Sequence, residues 1–87
     1  MKRSIELTPP ALNDFTEWAT YEPKILKRVA RMFEETCRSP FEGTGKPEPL
    51  KGNLSGYWSR RITDEHRMVY AVSNELITVF SLRGHYE

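Results

Sequence analysis

The spacing of apolar residues changes character twice along the chain. Ile5 and Leu7 alternate with Ser4 and Glu6, which is the period of a half-buried strand over residues 2 to 7. Thr8 then precedes Pro9 and Pro10, a hydroxyl at an N-cap followed by prolines in the first turn, where a missing N–H costs nothing. From Ala11 the positions Leu12, Phe15, Trp18 and Ala19 step by three, three and one, which places them on one face of a helix. Tyr21-Glu22-Pro23 interrupts, and Pro23 opens a second helix in which Ile25, Val29, Met32, Phe33 and Thr36 recur at helical spacing, with Leu26 flanking. Lys24, Lys27, Arg28, Arg31, Glu34 and Glu35 take the other side, and a solvated face is the ordinary role of such charges. Ser39-Pro40 ends the helix, so the pair forms an αα-hairpin with a short connection.

Beyond residue 56 the period returns to two. Residues 57 to 62 set Trp58, Arg60 and Ile62 against Tyr57, Ser59 and Arg61. Thr63-Asp64-Glu65 is a turn, His66 to Val72 a second strand, Ser73-Asn74-Glu75 another turn, and the β-branched and aromatic run from Leu76 a third strand. Three consecutive strands on short turns make an antiparallel meander. The order β-α-α-β-β-β predicts an α+β fold, with two N-terminal helices packed on one face of an antiparallel sheet. The other face is left for water or for chemistry.

Composition narrows this less than pattern does. The 87 residues, 1 to 87, make a single domain, and 13 basic against 12 acidic side chains give a net charge of +1. Such a balance makes no case by itself for a nucleic-acid or membrane partner, so any such case rests on where the charges sit. The single cysteine, Cys37, rules out an internal disulfide framework, fits a reducing compartment and reads as a small packing group. With no long apolar run and no charged-plus-apolar leader, the expectation is a soluble, cytoplasmic protein. The two histidines have no Cys or carboxylate at ligand spacing, and G-T-G-K lacks the spacing of a nucleotide-binding loop. Neither a metal nor a cofactor is expected.

The stretch between the helices and the meander is the richest in candidate chemistry. Four glycines and two prolines between Gly43 and Gly56 exclude a helix or a central strand and predict a loop. Pro47 and Pro49 flank Glu48 and press its backbone towards an extended form. Lys46, Lys51, Arg60 and Arg61 surround that one acid in residues 46 to 61, while Leu50, Leu54, Tyr57 and Trp58 offer apolar anchors. If the meander forms, Glu48, Arg61, Arg67, His85 and Tyr86 can converge. Each has a plain alternative: Glu48 pairing with Lys46 or Lys51, Arg67 with Asp64 or Glu65, His85 and Tyr86 idle at a frayed end, and Arg60 and Arg61 covering apolar surface with their stems. Together they are the parts that cleave RNA without a metal. One group takes the proton of a ribose 2′-OH, one protonates the leaving 5′-oxygen, and guanidinium groups hold the charge on phosphorus oxygens.

Residues 40 to 70, P-F-E-G-T-G-K-P-E-P-L-K-G-N-L-S-G-Y-W-S-R-R-I-T-D-E-H-R-M-V-Y, with R-G-H-Y from Arg83 to Tyr86, closely resemble the YoeB (Txe) toxins of the RelE/ParE superfamily. The first half resembles them in pattern more than in identity. The resemblance implies the toxin of a type II toxin–antitoxin system: an endoribonuclease that cuts the messenger RNA codon in the ribosomal 30S A site and is restrained by a YefM-type antitoxin. Family toxins are commonly dimeric when free. Carried over residue by residue, the resemblance implies Glu48, Arg67 and His85 as catalytic, and Lys51 and Arg61 as phosphate contacts. It also implies Tyr86 as a substrate-placing group, with Lys46 and Arg60 as further substrate contacts. Glu87 departs from the H-Y ending of close relatives, and a carboxylate added next to a histidine acid is expected to raise the histidine pKa and to repel the incoming phosphate. Gly84 is expected to loosen the tail. Two rivals share the scaffold: a ribosome-binding module that blocks by occupancy, and a gyrase poison of the ParE type.

Overall fold

The computed structural model describes residues 2 to 84. Its elements are β1 (Ser4–Leu7), α1 (Pro9–Tyr21), α2 (Pro23–Arg38), β2 (Glu48–Pro49), a 3₁₀ turn (Gly52–Leu54), β3 (Trp58–Arg61), β4 (Arg67–Val72) and β5 (Leu76–Ser81). They form one α+β unit in which the sheet runs β1-β5-β4-β3-β2. The meander β3-β4-β5 is antiparallel as expected, while β1 joins β5 in parallel, pairing Ile5 with Ile77 and Leu7 with Val79. The sheet is therefore mixed. The helical hairpin between β1 and the meander is the crossover that such a parallel pairing requires.

Thr8 stitches the helix layer to the sheet. Its Oγ1 accepts from Ala11 N at 3.4 Å and donates to Phe80 O at 3.2 Å, while its own N–H bonds Val79 O at 3.0 Å. This fixes the rotation of α1, whose buried stripe is Ala11 and Trp18 with Phe15 half-buried. Leu12 stays 54% exposed and Ala19 also faces out, so the inward face is turned by one residue from the one the apolar spacing predicts. The cause is that small Ala11, fully buried, lets α1 approach the sheet closely. In α2 the inward residues are Val29, Met32, Thr36 and Cys37. The Thr36 hydroxyl is satisfied by Met32 O at 2.6 Å, and burial pushes the Cys37 thiol pKa up, as suits a packing group.

Between helices and sheet lies one core built from Trp18, Val29, Met32, Ile62, Met68, Tyr70, Ile77, Val79 and Leu82. Each aliphatic side chain fully withdrawn from water contributes roughly 1.5–3 kcal/mol. Val69 and Ser59 are buried as well but lie outside that cluster, because they point to the sheet's other face. No helix among the described residues is long and apolar enough to cross a membrane.

Candidate active site

The face turned from the helices gathers the charged residues. Register pairs Glu48 with Ser59, Ser59 with Val69 and Arg61 with Arg67, and directly opposed residues share a face. Glu48, Ser59, Arg61 and Arg67 thus stand together across β2, β3 and β4. The extended backbone that Pro47 and Pro49 impose on Glu48 becomes the two-residue strand β2, so the segment expected to be all loop holds a short sheet edge. Leu50 N bonds Tyr57 O at 2.9 Å, closing the β2–β3 hairpin around the 3₁₀ turn.

Arg67 Nη1 lies 3.8 Å from Glu48 Oε1, with Arg67 21% and Glu48 61% exposed. Glu48 therefore pairs across the sheet with Arg67 and not with Lys46 or Lys51, and Arg67 in turn meets Glu48 and not Asp64 or Glu65. Arg61 opposes Arg67 directly, a like-charge pairing that destabilises a bare sheet. Arg61 Nε and Ser59 Oγ are buried with no hydrogen-bond partner among the described residues. Two guanidinium groups against one carboxylate leave a positive surplus that an anion relieves. Lys46 and Lys51 are exposed on either side of β2, and Lys46 holds a left-handed φ of 49°.

Arg60 does not belong to this face. It points into the helix layer and is fully buried, and each of its N–H groups has a partner. Nε donates to Tyr70 Oη, Nη1 to Glu35 Oε1 and Thr44 O, and Nη2 to Ser39 O and Glu42 O. The expectation that Arg60 touches substrate is thereby corrected, since no donor is free and no surface is exposed. Its task is to tie the loop after α2 to β3. Tyr70 Oη completes the tie by donating to Pro40 O at 2.7 Å. Burial works to raise the Glu35 pKa, but hydrogen bonds from Thr44 and Arg60 outweigh it and hold the carboxyl below its ordinary value.

Gly45 lets this tied loop meet β3. Its carbonyl accepts from Arg61 N at 2.7 Å, its φ is +83°, and a Cβ there would lie 2.7 Å from Arg61 O. Of the apolar anchors expected in the loop, Trp58 packs against the core and meets Phe41 with the rings tilted by 48° and their centroids 4.8 Å apart. Tyr57 meets Phe80 at 4.9 Å on the far face, and Leu50 and Leu54 stay half-buried outside the core.

Past β5 the chain turns back to the site. Leu82 N bonds Asp14 Oδ2 at 2.9 Å, and Leu82 O accepts from Trp18 Nε1 at 3.0 Å. Gly84 N bonds His66 Nδ1 at 2.9 Å and Gly84 O accepts from Arg67 N at 2.8 Å. Gly84, expected to loosen the tail, instead uses a φ of +75° to make a pinned turn beside Arg67. His85, Tyr86 and Glu87 lie outside the described residues. Asp14, Glu35, His66 and Tyr70 carry roles that the sequence did not signal, because each acts on a residue distant in the chain. Among the described residues no group of three or more metal-ligating side chains occurs.

Residues 7 to 86 match the family described as YoeB-like toxin of bacterial type II toxin-antitoxin system. Toxin YoeB of Mycobacterium bovis is 49% identical over 84 residues, covering 97% of this chain and 99% of that protein. The YoeB dimer from Staphylococcus aureus superposes with a TM-score of 0.91 at 38% identity, covering 99% of this chain and 100% of that one. The heterotetrameric YoeB–YefM complex of the same organism gives 0.88 at 38% identity, with the same coverage. The chain belongs to the YoeB-like toxins of bacterial type II toxin–antitoxin systems.

Proposed function

We propose that this toxin is a ribosome-dependent endoribonuclease that cuts messenger RNA in the A site. The observation that carries the proposal is the opposed Arg61–Arg67 pair facing one accessible carboxylate, Glu48, 3.8 Å from Arg67. Phosphate supplies the negative charge that this arrangement lacks, and Arg binds it through two parallel N–H groups. Glu48, largely exposed, is free to accept the 2′-OH proton as the 2′-oxygen attacks phosphorus. As the P–O5′ bond breaks, His85 gives its proton to the leaving oxygen, and Arg67 stabilises the charge on the pentacoordinate phosphorus. Lys51, Arg61 and Lys46 hold neighbouring phosphates, and Tyr86 places the substrate.

In this reading the partner of the free toxin is a YefM-type antitoxin and a second copy of the chain is a further partner, and the S. aureus relatives solved as a YoeB–YefM complex and as a dimer support both. The decisive measurement is the chemistry of the cut ends. Message incubated with programmed ribosomes and toxin should carry a 2′,3′-cyclic phosphate and a 5′-hydroxyl at each cut. Cuts bearing 5′-phosphate would overturn the mechanism. Arrest of translation with intact message by Glu48→Gln would transfer the function to occupancy alone.

A further inference from the structure

The three residues between β5 and the tail are held more completely than a surface turn needs. Both backbone polar groups of Leu82 are taken by α1, through Asp14 and Trp18, and both of Gly84 are taken at the start of β4, through His66 and Arg67. Between them, Arg83 pairs with Glu17 and lies 5.7 Å from the centre of the Trp18 ring. Trp18 in turn meets the His66 ring edge-on, with centroids 5.0 Å apart. The imidazole is thereby oriented with Nδ1 towards the Gly84 N–H, which fixes the proton of the neutral ring on Nε2.

We propose that His66 is a positioning residue: its Nδ1, by accepting the Gly84 amide, sets where the chain delivers His85 and Tyr86 to the scissile group. This rests on His85 being the general acid. Gly84 is exposed, so water can replace His66 as the partner of its amide, and the bond adds little to folding. Its placement matters instead. The peptide unit carrying that N–H ends at the Gly84 Cα, and the next unit, whose carbonyl oxygen accepts from the backbone N–H of Arg67, leads into His85; Arg67 is also the residue assigned to the phosphorus oxygens. A misplacement of about 1 Å in such a group costs on the order of 100-fold in rate.

The test uses the full chain on programmed ribosomes in single-turnover cleavage, with ribosome binding, thermal melting and Gly84 amide exchange measured beside it. His66→Phe keeps a ring against Trp18 and removes the acceptor. It should slow cleavage about 10- to 100-fold, leave binding within about twofold and melting unchanged, and speed exchange of the Gly84 amide. His66→Asn places an acceptor oxygen near the position of Nδ1 and should restore most of the rate and of the protection. In a His85→Ala background, His66→Phe should add no further loss, since the two act in series. Full-rate cleavage by His66→Phe, an unchanged Gly84 amide, or equal failure of the Phe and Asn variants would each overturn the positioning role while leaving His85 in place. Full-rate cleavage by His85→Ala alone would instead remove the acid assignment and the positioning proposal with it, even where the amide bond to His66 is real.

Discussion

Arg60 and Arg61 are consecutive residues of β3 with the same side chain, and the pleat sends them to opposite faces of the sheet. On the helix side Arg60 is fully buried, meets one carboxylate and three carbonyls, and has every donor occupied. On the far side Arg61 stands opposite another arginine with a buried Nε that no described residue accepts. A guanidinium whose needs are met inside the protein builds structure, whereas one left in surplus is arranged for something that arrives later. The contrast separates stability from function along one strand, and substitutions should divide the same way.

The largest effect expected is on the far face. Arg67→Ala should lower the single-turnover cleavage rate by about 10²–10³, the loss typical of removing one donor to a developing oxyanion. Unfolding should change little, because the same substitution relieves the repulsion with Arg61. A rate within threefold of wild type would show that the guanidinium surplus serves binding alone. On the helix face, Arg60→Ala should reverse the pattern and cost roughly 3 kcal/mol in urea denaturation, since it strands Glu35 and the carbonyls of Ser39, Glu42 and Thr44. Arg60→Lys should recover little, because an ammonium cannot span those acceptors in a planar fork. Stability equal to wild type in both variants would sink the assignment of Arg60 as the tie of the loop.

The two faces meet at Gly45, whose carbonyl bonds the backbone of Arg61 while its loop is held by Arg60 through Thr44. Gly45→Ala forces a side chain onto a φ of +83° and brings Cβ within 2.7 Å of Arg61 O, a backbone atom that cannot step aside. The expected loss is about 2 kcal/mol, with cleavage falling as well because the displaced strand carries Arg61. A variant that loses stability but keeps its full rate would show that the two faces are less coupled than this contact requires.

How far the sequence discloses this division depends on which residues define it. Alternation along β3 separates Arg60 from Arg61 without help, and prolines around Glu48 announce an extended carboxylate. Alternation does not say which face the helices cover, so both arginines look equally available. The network that settles it joins Arg60 to Glu35 in α2 and to Tyr70 in β4, and no local period encodes such long-range pairs. The parallel docking of β1 on β5 is hidden for the same reason: Ile5 and Leu7 alternate identically whichever neighbour they pair with. Leu12 misled because helical spacing fixes a face only to within about one residue, and small Ala11 decided the rotation.

The smallest expected effect lies on the helix side and is read through pH. Burial raises the pKa of Glu35 and hydrogen bonds from Thr44 and Arg60 lower it by more, so the folded-state value sits below the unfolded one. A depressed carboxyl contributes stability that is present above the unfolded pKa and disappears as pH falls through the folded one. The side chain is 36% exposed, so solvent screening keeps this contribution under about 1 kcal/mol. Wild type and Glu35→Gln should therefore differ in urea midpoint by a constant amount near neutral pH, and the two should converge as the medium is acidified past the ordinary glutamate range. A gap that persists unchanged at strongly acidic pH would mean that the charge on Glu35 is not what holds Arg60, and that the carbonyls of the loop alone keep the buried arginine in place.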